Sequence, residues 1–256
     1  MSAAQIPEID PRRAVPVEGA YNVRDIGGYR TRDGRTTRWG KYLRADTLAN
    51  LTPAGVQTLL DYGVRNIIDL RRSNDLQFRP SPFIGNESVT YYHQNMSGDV
   101  ALQRREELDG IEDAAERRGR GYVAILDQRK HILHQIFSIL AMPDGLPALV
   151  HCNAGKDRAG ISASFVLEIC GVPRETIIDD YGLTARYLVR RHYAHNPDVN
   201  PEEYTWLDYQ QDVCAPRSIG VTLDHLDKEY GGVEGYLRDT GITDDQLAAI
   251  KEAMTE

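Results

Sequence analysis

The chain has 256 residues, of which 41% are hydrophobic and 27% are charged, and its formal net charge at neutral pH is −8. This length and composition are typical of a globular protein with one large domain or two small ones. The acidic charge argues against a nucleic-acid partner, and no apolar run approaches the ~20 residues that an integral membrane segment needs.

The first quarter of the chain predicts an irregular lead-in and then a helix. Residues 1–18 contain proline and show no periodicity, and we expect them to precede a single domain at 19–256. A helix is predicted to begin at Thr52-Pro53, with proline at its first position, and to end at Gly63.

Three strands are predicted from short runs that are rich in apolar and β-branched residues. Their sequences are VRNIIDL at 64–70, SVTYYH at 88–93 and LPALVHC at 146–152. The third run is apolar enough to lie at the centre of a parallel sheet.

A long helical region separates the second and third strands. Residues 99–120 are heavily charged, whereas apolar residues recur at helical spacing from Tyr122 to Leu140. We therefore expect 99–140 to form a helical insertion that buries one face.

Helices follow one another after the third strand. One is predicted from Arg158 to Ile169, the next opens at Pro173, and a capping box of Thr243 and Gln246 marks the last. Strands that alternate with helices predict an α/β fold with a central, mostly parallel sheet flanked by helices.

Cysteine usage indicates the compartment. The chain has only Cys152, Cys170 and Cys214, too sparse a set for a disulfide framework and without a Cys-x2-Cys metal pair. The N-terminus lacks the continuous apolar stretch of a signal peptide. We expect a cytoplasmic protein, or one secreted by a leaderless route, in which Cys170 packs in the core.

The most informative segment is 149–168, LVHCNAGKDRAGISASFVLE, which predicts a strand, a glycine-containing loop and a helix. Cys152 at the end of the strand should face the N-terminus of the helix, whose free N–H groups and dipole favour a thiolate. The same N–H groups can cradle a tetrahedral oxyanion, and Gly155 permits a tight turn. Arg158 can fold back and offer two donors to two phosphate oxygens.

These features together predict nucleophilic catalysis on a phosphate ester. The Cys152 thiolate would attack phosphorus while Arg158 and the loop residues 153–156 stabilise the charge on the phosphate oxygens. The loop residues expected to bind substrate are Asn153, Ala154, Gly155 and Lys156. No metal and no other cofactor is expected, because the loop supplies the electrostatic stabilisation.

The loop resembles the His-Cys-x5-Arg signature of the protein tyrosine phosphatase superfamily in its sequence HCNAGKDRAG. It is most similar to the branch with Gly-Lys-Asp-Arg in the loop, which includes a secreted mycobacterial phosphatase and bacterial and fungal relatives. Three further segments are similar to that branch: YNVRDIGGYRTRDGR at 21–35, VRNIIDLRR at 64–72 and GVPRETIIDDYGLTARYL at 171–188.

This resemblance implies a phosphatase fold and a phosphocysteine intermediate on Cys152. It implies that phosphotyrosine proteins or other phosphomonoesters are the substrates, with dual-specificity or phosphoinositide activity as an extension. Phosphoinositide-cleaving members carry a lysine at the place of Lys156, so this side chain is expected to face the substrate. The resemblance also implies that 99–140 forms a helical lid over the site. No oligomeric state is predicted.

The general acid is left open between two aspartates and a residue elsewhere in the chain. Asp157 lies in the loop and can protonate a leaving oxygen directly, whereas Asp69 ends its strand and can also face the substrate. Asp127 lies at the usual distance before the cysteine but inside a predicted helix, which argues against it. Most family members carry Ser or Thr where this chain has Ala159, so we expect slower hydrolysis of the intermediate or another donor.

Two other interpretations stay open. A catalytically inactive phosphate-binding module would retain the loop, and Ala159 keeps that alternative alive. A sulfurtransferase or arsenate reductase would use a similar thiolate, but the former has shorter loops and the latter needs a resolving cysteine that Cys170 does not comfortably supply.

Overall fold

The computed structural model describes residues 10–99 and 108–256. Within these residues a sheet of five strands has the order β1-β2-β5-β3-β4. The strands are β1 (Arg24–Asp25), β2 (Tyr42–Ala45), β3 (Asn66–Asp69), β4 (Thr90–His93) and β5 (Ala148–His151). β1 is antiparallel to β2 and the other neighbours are parallel, which confirms the predicted α/β class with a mostly parallel sheet.

Helices surround this sheet. Two short 3-10 helices span Pro11–Arg13 and Leu48–Asn50. The α-helices of the described residues are α1 (Pro53–Asp61), α2 (Ser73–Phe78), α3 (Ala114–Gln128), α4 (Lys130–Leu140), α5 (Arg158–Ile169), α6 (Arg174–His195), α7 (Trp206–Val213), α8 (Arg217–Tyr230), α9 (Val233–Asp239) and α10 (Asp244–Met254). None of the helices in this part of the chain is long and apolar enough to cross a membrane.

The two faces of the sheet pack into two separate cores. Because side chains alternate along a strand, Val150 of β5 points into the larger core and its neighbour Leu149 into the smaller one. The larger core is built with α3 to α6 and α8 to α10, and α5 lies against the sheet in its middle. The smaller core is closed by α1, Phe83 and the N-terminal segment.

The three predicted strands are present, each shorter than its predicted range. The sequence did not reveal β2, whose run Tyr42–Ala45 contains the charged Arg44 and yet is buried at every position. A charged residue in a buried strand breaks the apolar pattern on which strand prediction depends, and the partner that permits it lies far along the chain.

The lead-in packs on the domain over the residues that the structure describes. Val15 and Val17 are buried in the smaller core, and Ala14 forms a bridge with Arg24 of β1. The guanidinium of Arg13 lies 3.8 Å from the centre of the Tyr29 ring. Residues 10–18 are thus integrated with the fold, while 1–9 lie outside the described residues.

The insertion predicted at 99–140 divides into parts with different positions. Residues 100–107 lie outside the described residues, and the periodic run from Tyr122 to Leu140 breaks at Arg129, where the backbone leaves the helical region. The apolar face of α4 is buried in the larger core, where the rings of Phe137 and Phe165 lie 6.0 Å apart. α4 is therefore a core helix, in contrast to the predicted lid, and a covering role stays a prediction for the part before it.

Candidate active site

The candidate site lies where the central strands of the sheet end. β5 runs between β2 and β3, parallel to both, so the carboxyl ends of all three meet at one edge. Cys152 follows β5 directly and is 1% exposed, and α5 begins at Arg158. We call residues 152–158 the cysteine loop. Its strand–loop–helix context is the one that the sequence predicts.

The carbonyl groups at the tip of the cysteine loop bind donors from outside it. The Nη2 group of Arg44 donates to the carbonyls of Gly155 and Lys156 at 2.8 and 3.2 Å. The Nδ2 group of Asn22 donates to the Ala154 carbonyl at 2.8 Å.

The carbonyl of Asn153, at the start of the same run, is held from two sides. It accepts from the backbone N–H of Thr47 at 3.2 Å and from Nη1 of Arg191 at 3.3 Å. Because C=O and N–H point in opposite directions across a trans peptide, the N–H groups of residues 154–157 face away from all these donors. Such an arrangement leaves these N–H groups available as a nest that could bind an anion.

Gly155 is required by the backbone at this point. Its φ is +66°, in the left-handed region. A Cβ atom there would also lie 2.5 Å from the carbonyl carbon and oxygen of Ala45, at the end of β2. The loop therefore packs directly against the strand that carries Arg44.

Arg44 is itself held by a buried ionic cluster. Its Nη1 group donates to Oδ2 of Asp180 at 2.8 Å, and Nε of Arg24 lies 3.7 Å from Oδ1. Tyr29 donates its hydroxyl to Oδ1 at 3.0 Å. Burial opposes ionisation of Asp180, but the charges of Arg24 and Arg44 outweigh it and lower the pKa of this carboxyl. The cluster therefore fixes the Arg44 guanidinium beneath the cysteine loop.

A second buried cluster lies under the start of the loop, around Asp69. The Nε and Nη2 groups of Arg71 donate to this carboxylate, with Nη2 2.7 Å from Oδ2, and Tyr91 donates to Oδ2 at 2.6 Å. Burial lowers the pKa of His151 to about 4, so this imidazole, 3.4 Å from Oδ2, is neutral at pH 7. Burial raises the pKa of Asp69. The charge of His151, when protonated, and the hydrogen bonds from Arg71 outweigh this effect and lower the pKa to about 2.

This environment does not suit Asp69 as a proton donor or a substrate ligand. The carboxylate is fully buried, both oxygens accept hydrogen bonds, and it is ionised at neutral pH. Asp69 instead holds Arg71 through hydrogen bonds beneath the loop. Its position at a strand end suggested the other role, because the sequence does not reveal that Arg71, two residues on, would turn back onto it.

The remaining loop side chains point in different directions. Nη1 of Arg158 donates to the carbonyl of Leu70, just beyond β3, at 2.9 Å. Nζ of Lys156 donates to the Val213 carbonyl at 3.0 Å and lies 3.5 Å from Oδ1 of Asp157. The Lys156 side chain is only 12% exposed, whereas that of Asp157 is 35% exposed. Asp157 therefore has the more open position of the two.

Several residues at the site were missed by sequence reasoning. Asp75 of α2 accepts a hydrogen bond from Nδ2 of Asn153 at 3.1 Å, which places a second, partly exposed carboxylate at the loop. Tyr122 of α3 donates its hydroxyl to Oδ1 of Asp157. The position of Asp75, shortly after β3, was a usable signal, whereas nothing local to Tyr122 indicates its partner.

A cavity of about 350 Å³ adjoins the loop at Ala154. Its lining includes one guanidinium and two imidazoles, and no carboxylate. The lining residues are Ala154, Leu188, Arg191, His192, His195, Asn196 and Tyr209.

The other two cysteines lie in surroundings that disfavour a thiolate. Burial raises the pKa of Cys170 to about 12 and that of Cys214 to about 11, so neither thiol ionises readily. Ala159 is fully buried in the larger core. No group of three or more His, Cys, Asp or Glu side chains in 10–99 and 108–256 is arranged to hold a metal ion.

Comparison with known proteins agrees with the chemistry of the loop. A family model described as "Tyrosine phosphatase family" matches residues 15–256. A protein of Nostoc commune named "Tyrosine-protein phosphatase" is 28% identical over 216 residues, covering 82% of this chain and 72% of the relative. The "Triple specificity protein phosphatase PtpB" of Mycobacterium tuberculosis is 28% identical over 265 residues, covering 88% of this chain and 93% of the relative.

Among solved structures, TpbA of P. aeruginosa matches with a TM-score of 0.34 at 14% sequence identity. The match covers 81% of this chain and 91% of that one.

Replacing Arg44 with lysine should weaken anion binding by about 10- to 100-fold, the effect of losing one charge-assisted hydrogen bond at ~1.5–3 kcal/mol. Lysine keeps the charge opposite Asp180 but cannot bind that carboxylate and two carbonyls at once. The measurement is titration with inorganic phosphate, with thermal unfolding recorded in parallel.

Arg65→Lys is the matched control, because exposed Arg65 also donates to a backbone carbonyl, that of Val64 at 2.8 Å, but away from the loop. Equal phosphate affinity of folded Arg44→Lys and Arg65→Lys proteins would contradict the role of Arg44.

Acidification should destabilise the protein through His151. The pKa of this imidazole is about 4 when folded and 6.5 in the unfolded chain, so the unfolded state binds more protons between these values. Stability is therefore lost as the pH falls from 6.5 towards 4, by about 3 kcal/mol for this group. Urea denaturation at pH steps across that range measures the loss.

His151→Gln should flatten this pH dependence, whereas His131→Gln, on the exposed face of α4, should keep it. Other groups titrate in both variants and cancel in the comparison. An unchanged slope in His151→Gln would show that the buried imidazole is not the source.

Proposed function

The chain belongs to the tyrosine phosphatase family, whose model matches residues 15–256, and we propose that it hydrolyses phosphomonoesters through a phosphocysteine intermediate on Cys152. Phosphotyrosine proteins are its proposed principal substrates. The observation that supports this most directly is the cysteine loop, in which outward-bound carbonyls leave the N–H groups of residues 154–157 facing the opposite side.

In the first step the phosphate oxygens lie in the nest of loop N–H groups, and the guanidinium of Arg158 binds two of them. The Cys152 thiolate attacks phosphorus in line with the bond to the leaving oxygen. The P–S bond forms as the P–O bond breaks, and the leaving oxygen takes a proton from Asp157.

In the second step water attacks the phosphocysteine. The Asp157 carboxylate takes a proton from this water, a new P–O bond forms, and the Cys152 thiolate departs. Ala159 offers no hydroxyl to assist that departure, so this step is proposed to limit turnover. The dipole of α5 and the loop N–H groups stabilise the thiolate in both steps.

The choice of Asp157 as the acid follows from its surroundings. It lies in the loop, its side chain is about one-third exposed, and Tyr122 holds one of its oxygens. Asp75, bound to Asn153, is the competing carboxylate at the loop. Asp69 is not a competitor, because it is buried and ionised.

We propose that the enzyme also accepts substrates with more than one phosphate, including phosphoinositides. The cavity beside Ala154 places a guanidinium and two imidazoles next to the loop without a carboxylate in the lining. Lys156 can add a further cation if its Nζ group exchanges the Val213 carbonyl for a substrate phosphate. The relative PtpB of M. tuberculosis is named a triple specificity phosphatase, which indicates a broad substrate range for that protein.

Cys152→Ser should lower turnover of p-nitrophenyl phosphate by about 10³-fold or more while phosphate binding stays within tenfold, because the nest and Arg158 remain. The wild-type reaction should persist in EDTA. Cys170→Ser, which changes a core cysteine away from the loop, is the matched control and should keep its activity.

A Cys152→Ser protein with more than a few per cent of wild-type turnover would refute the covalent mechanism. A wild-type protein that binds phosphate but does not turn over would instead be a phosphate-binding module.

Asp157→Asn should lower kcat/KM for phenyl phosphate by about 10²-fold or more and kcat/KM for p-nitrophenyl phosphate much less, because kcat/KM reports the step that forms the phosphocysteine and p-nitrophenolate leaves in that step without a proton. Asp75→Asn is the matched variant, since it neutralises the other partly exposed carboxylate at the loop. We expect it to affect both substrates alike. The reverse pattern would assign the acid to Asp75.

Lys156→Ala should reduce kcat/KM for a phosphoinositide roughly tenfold more than for a phosphotyrosine peptide, the effect of one lost contact to a second phosphate. Side-by-side kinetics of the variant and the wild type measure this difference. Equal losses would place Lys156 in the step common to both substrates, and absence of wild-type phosphoinositide turnover would refute the extension to lipids.

A further inference from the structure

A line of two buried tyrosines leads from the interior to the cysteine loop. Tyr122 of α3 is 4% exposed and Tyr181 of α6 is fully buried. Their hydroxyl oxygens lie 2.6 Å apart, and the rings meet edge to face with centres 6.4 Å apart. The Tyr122 hydroxyl also reaches Oδ1 of Asp157. Three segments distant in sequence thus meet at one side chain of the loop.

The direction of these hydrogen bonds follows from the number of protons available. An ionised Asp157 only accepts, so Tyr122 donates to it, and a phenol has one proton to donate. Tyr122 must then accept from Tyr181. Burial raises the pKa of both phenols above the usual 10, so both remain protonated at neutral pH. The order is therefore Tyr181 to Tyr122 to Oδ1 of Asp157.

Resting on the proposed role of Asp157 as the acid, we infer that Tyr122 is a positioning residue that reserves Oδ1 as a hydrogen-bond acceptor. The proton delivered to the leaving group is then carried on Oδ2, the oxygen that Tyr122 does not hold. After transfer, the Tyr122 hydroxyl stabilises the carboxylate that remains. Tyr181 supports this by occupying the acceptor site of Tyr122, so that Tyr122 keeps donating.

A test of pH dependence has to take account of the charged and titratable groups around Asp157. Lys156 lies 3.5 Å from the same oxygen, Oδ1. Tyr209 of α7 and Cys214 beyond it also interact with Asp157, and burial raises their pKa values to about 12 and about 11. Arg118 of α3 interacts with Tyr181 and Cys214. Neither Tyr209 nor Cys214 changes charge between pH 5 and 8, and an arginine stays charged throughout.

Tyr122→Phe tests the inference because it keeps the ring and deletes the donor. We expect kcat/KM for phenyl phosphate to fall about tenfold and kcat/KM for p-nitrophenyl phosphate to change less than about twofold, because kcat/KM reports the step in which the leaving group departs. The basic limb of the kcat/KM profile, which reports loss of the acid proton from the free enzyme, should move up by about one pH unit, since the carboxylate loses a donor.

Tyr236→Phe is the matched control. Its buried hydroxyl donates to the Leu126 carbonyl of α3 at 2.8 Å, so this change also removes a tyrosine anchor of α3 without touching Asp157. It should alter neither the leaving-group dependence nor the basic limb. Thermal unfolding of both variants verifies that each is folded.

A double variant distinguishes the positioning role of Tyr122 from the role of Asp157 as the acid. If Tyr122 acts through Asp157, adding Tyr122→Phe to Asp157→Asn should cause no further loss on phenyl phosphate. Additive losses, equal losses on both substrates or an unmoved basic limb would overturn the role of Tyr122. Absence of a leaving-group-dependent loss in Asp157→Asn alone would instead show that the assignment of the acid has failed.

Discussion

The candidate site depends on the hydrogen bonds that Arg44 makes to the carbonyls of Gly155 and Lys156. A six-residue turn between a strand and a helix has many backbone conformations, and only those with outward carbonyls gather N–H groups on one side. Arg44 selects such a conformation from outside the loop. Its own position depends on Asp180, because a buried guanidinium without a counter-charge would be costly. The loop geometry is therefore set in part by charges that lie outside the loop.

The helical layer places the same loop from the other side. α5 lies against the sheet in the middle of the larger core, so the N-terminus of this helix cannot shift without disturbing packed side chains. α3 brings Tyr122 to Asp157, and α6 brings both Asp180 and Tyr181. Strand β2 and the packed helices α3 and α6 thus hold Arg44, Tyr122 and Asp180, while Asp157 keeps access to solvent.

How far the sequence predicts the site depends on how local each feature is. Cys152, Gly155 and Arg158 lie within seven consecutive residues, so one strand-to-helix segment carries their geometry and could be recognised directly. Arg44 and Asp180 are 136 positions apart, and their contact exists only after the sheet and α6 have packed. Likewise, the apolar face from Tyr122 to Leu140 predicts burial correctly, but periodicity does not state which surface a helix will cover. The surroundings of Asp69 were not visible in the sequence for the same reason, since its neighbours in space include Tyr91 from another strand.

The burial of Arg24, Arg44 and Arg71 bears on how the protein meets its substrates in solution. These three cations are fully enclosed and are partly neutralised by Asp180 and Asp69, while the chain as a whole carries −8. We therefore expect a phosphorylated substrate to be repelled at long range and attracted only close to the loop. Salt screens exposed charges beyond ~8 Å at physiological ionic strength and buried ones much less. Moderate ionic strength thus lowers the barrier to encounter more than it weakens capture, the opposite of the behaviour of enzymes that steer anions with a positive surface.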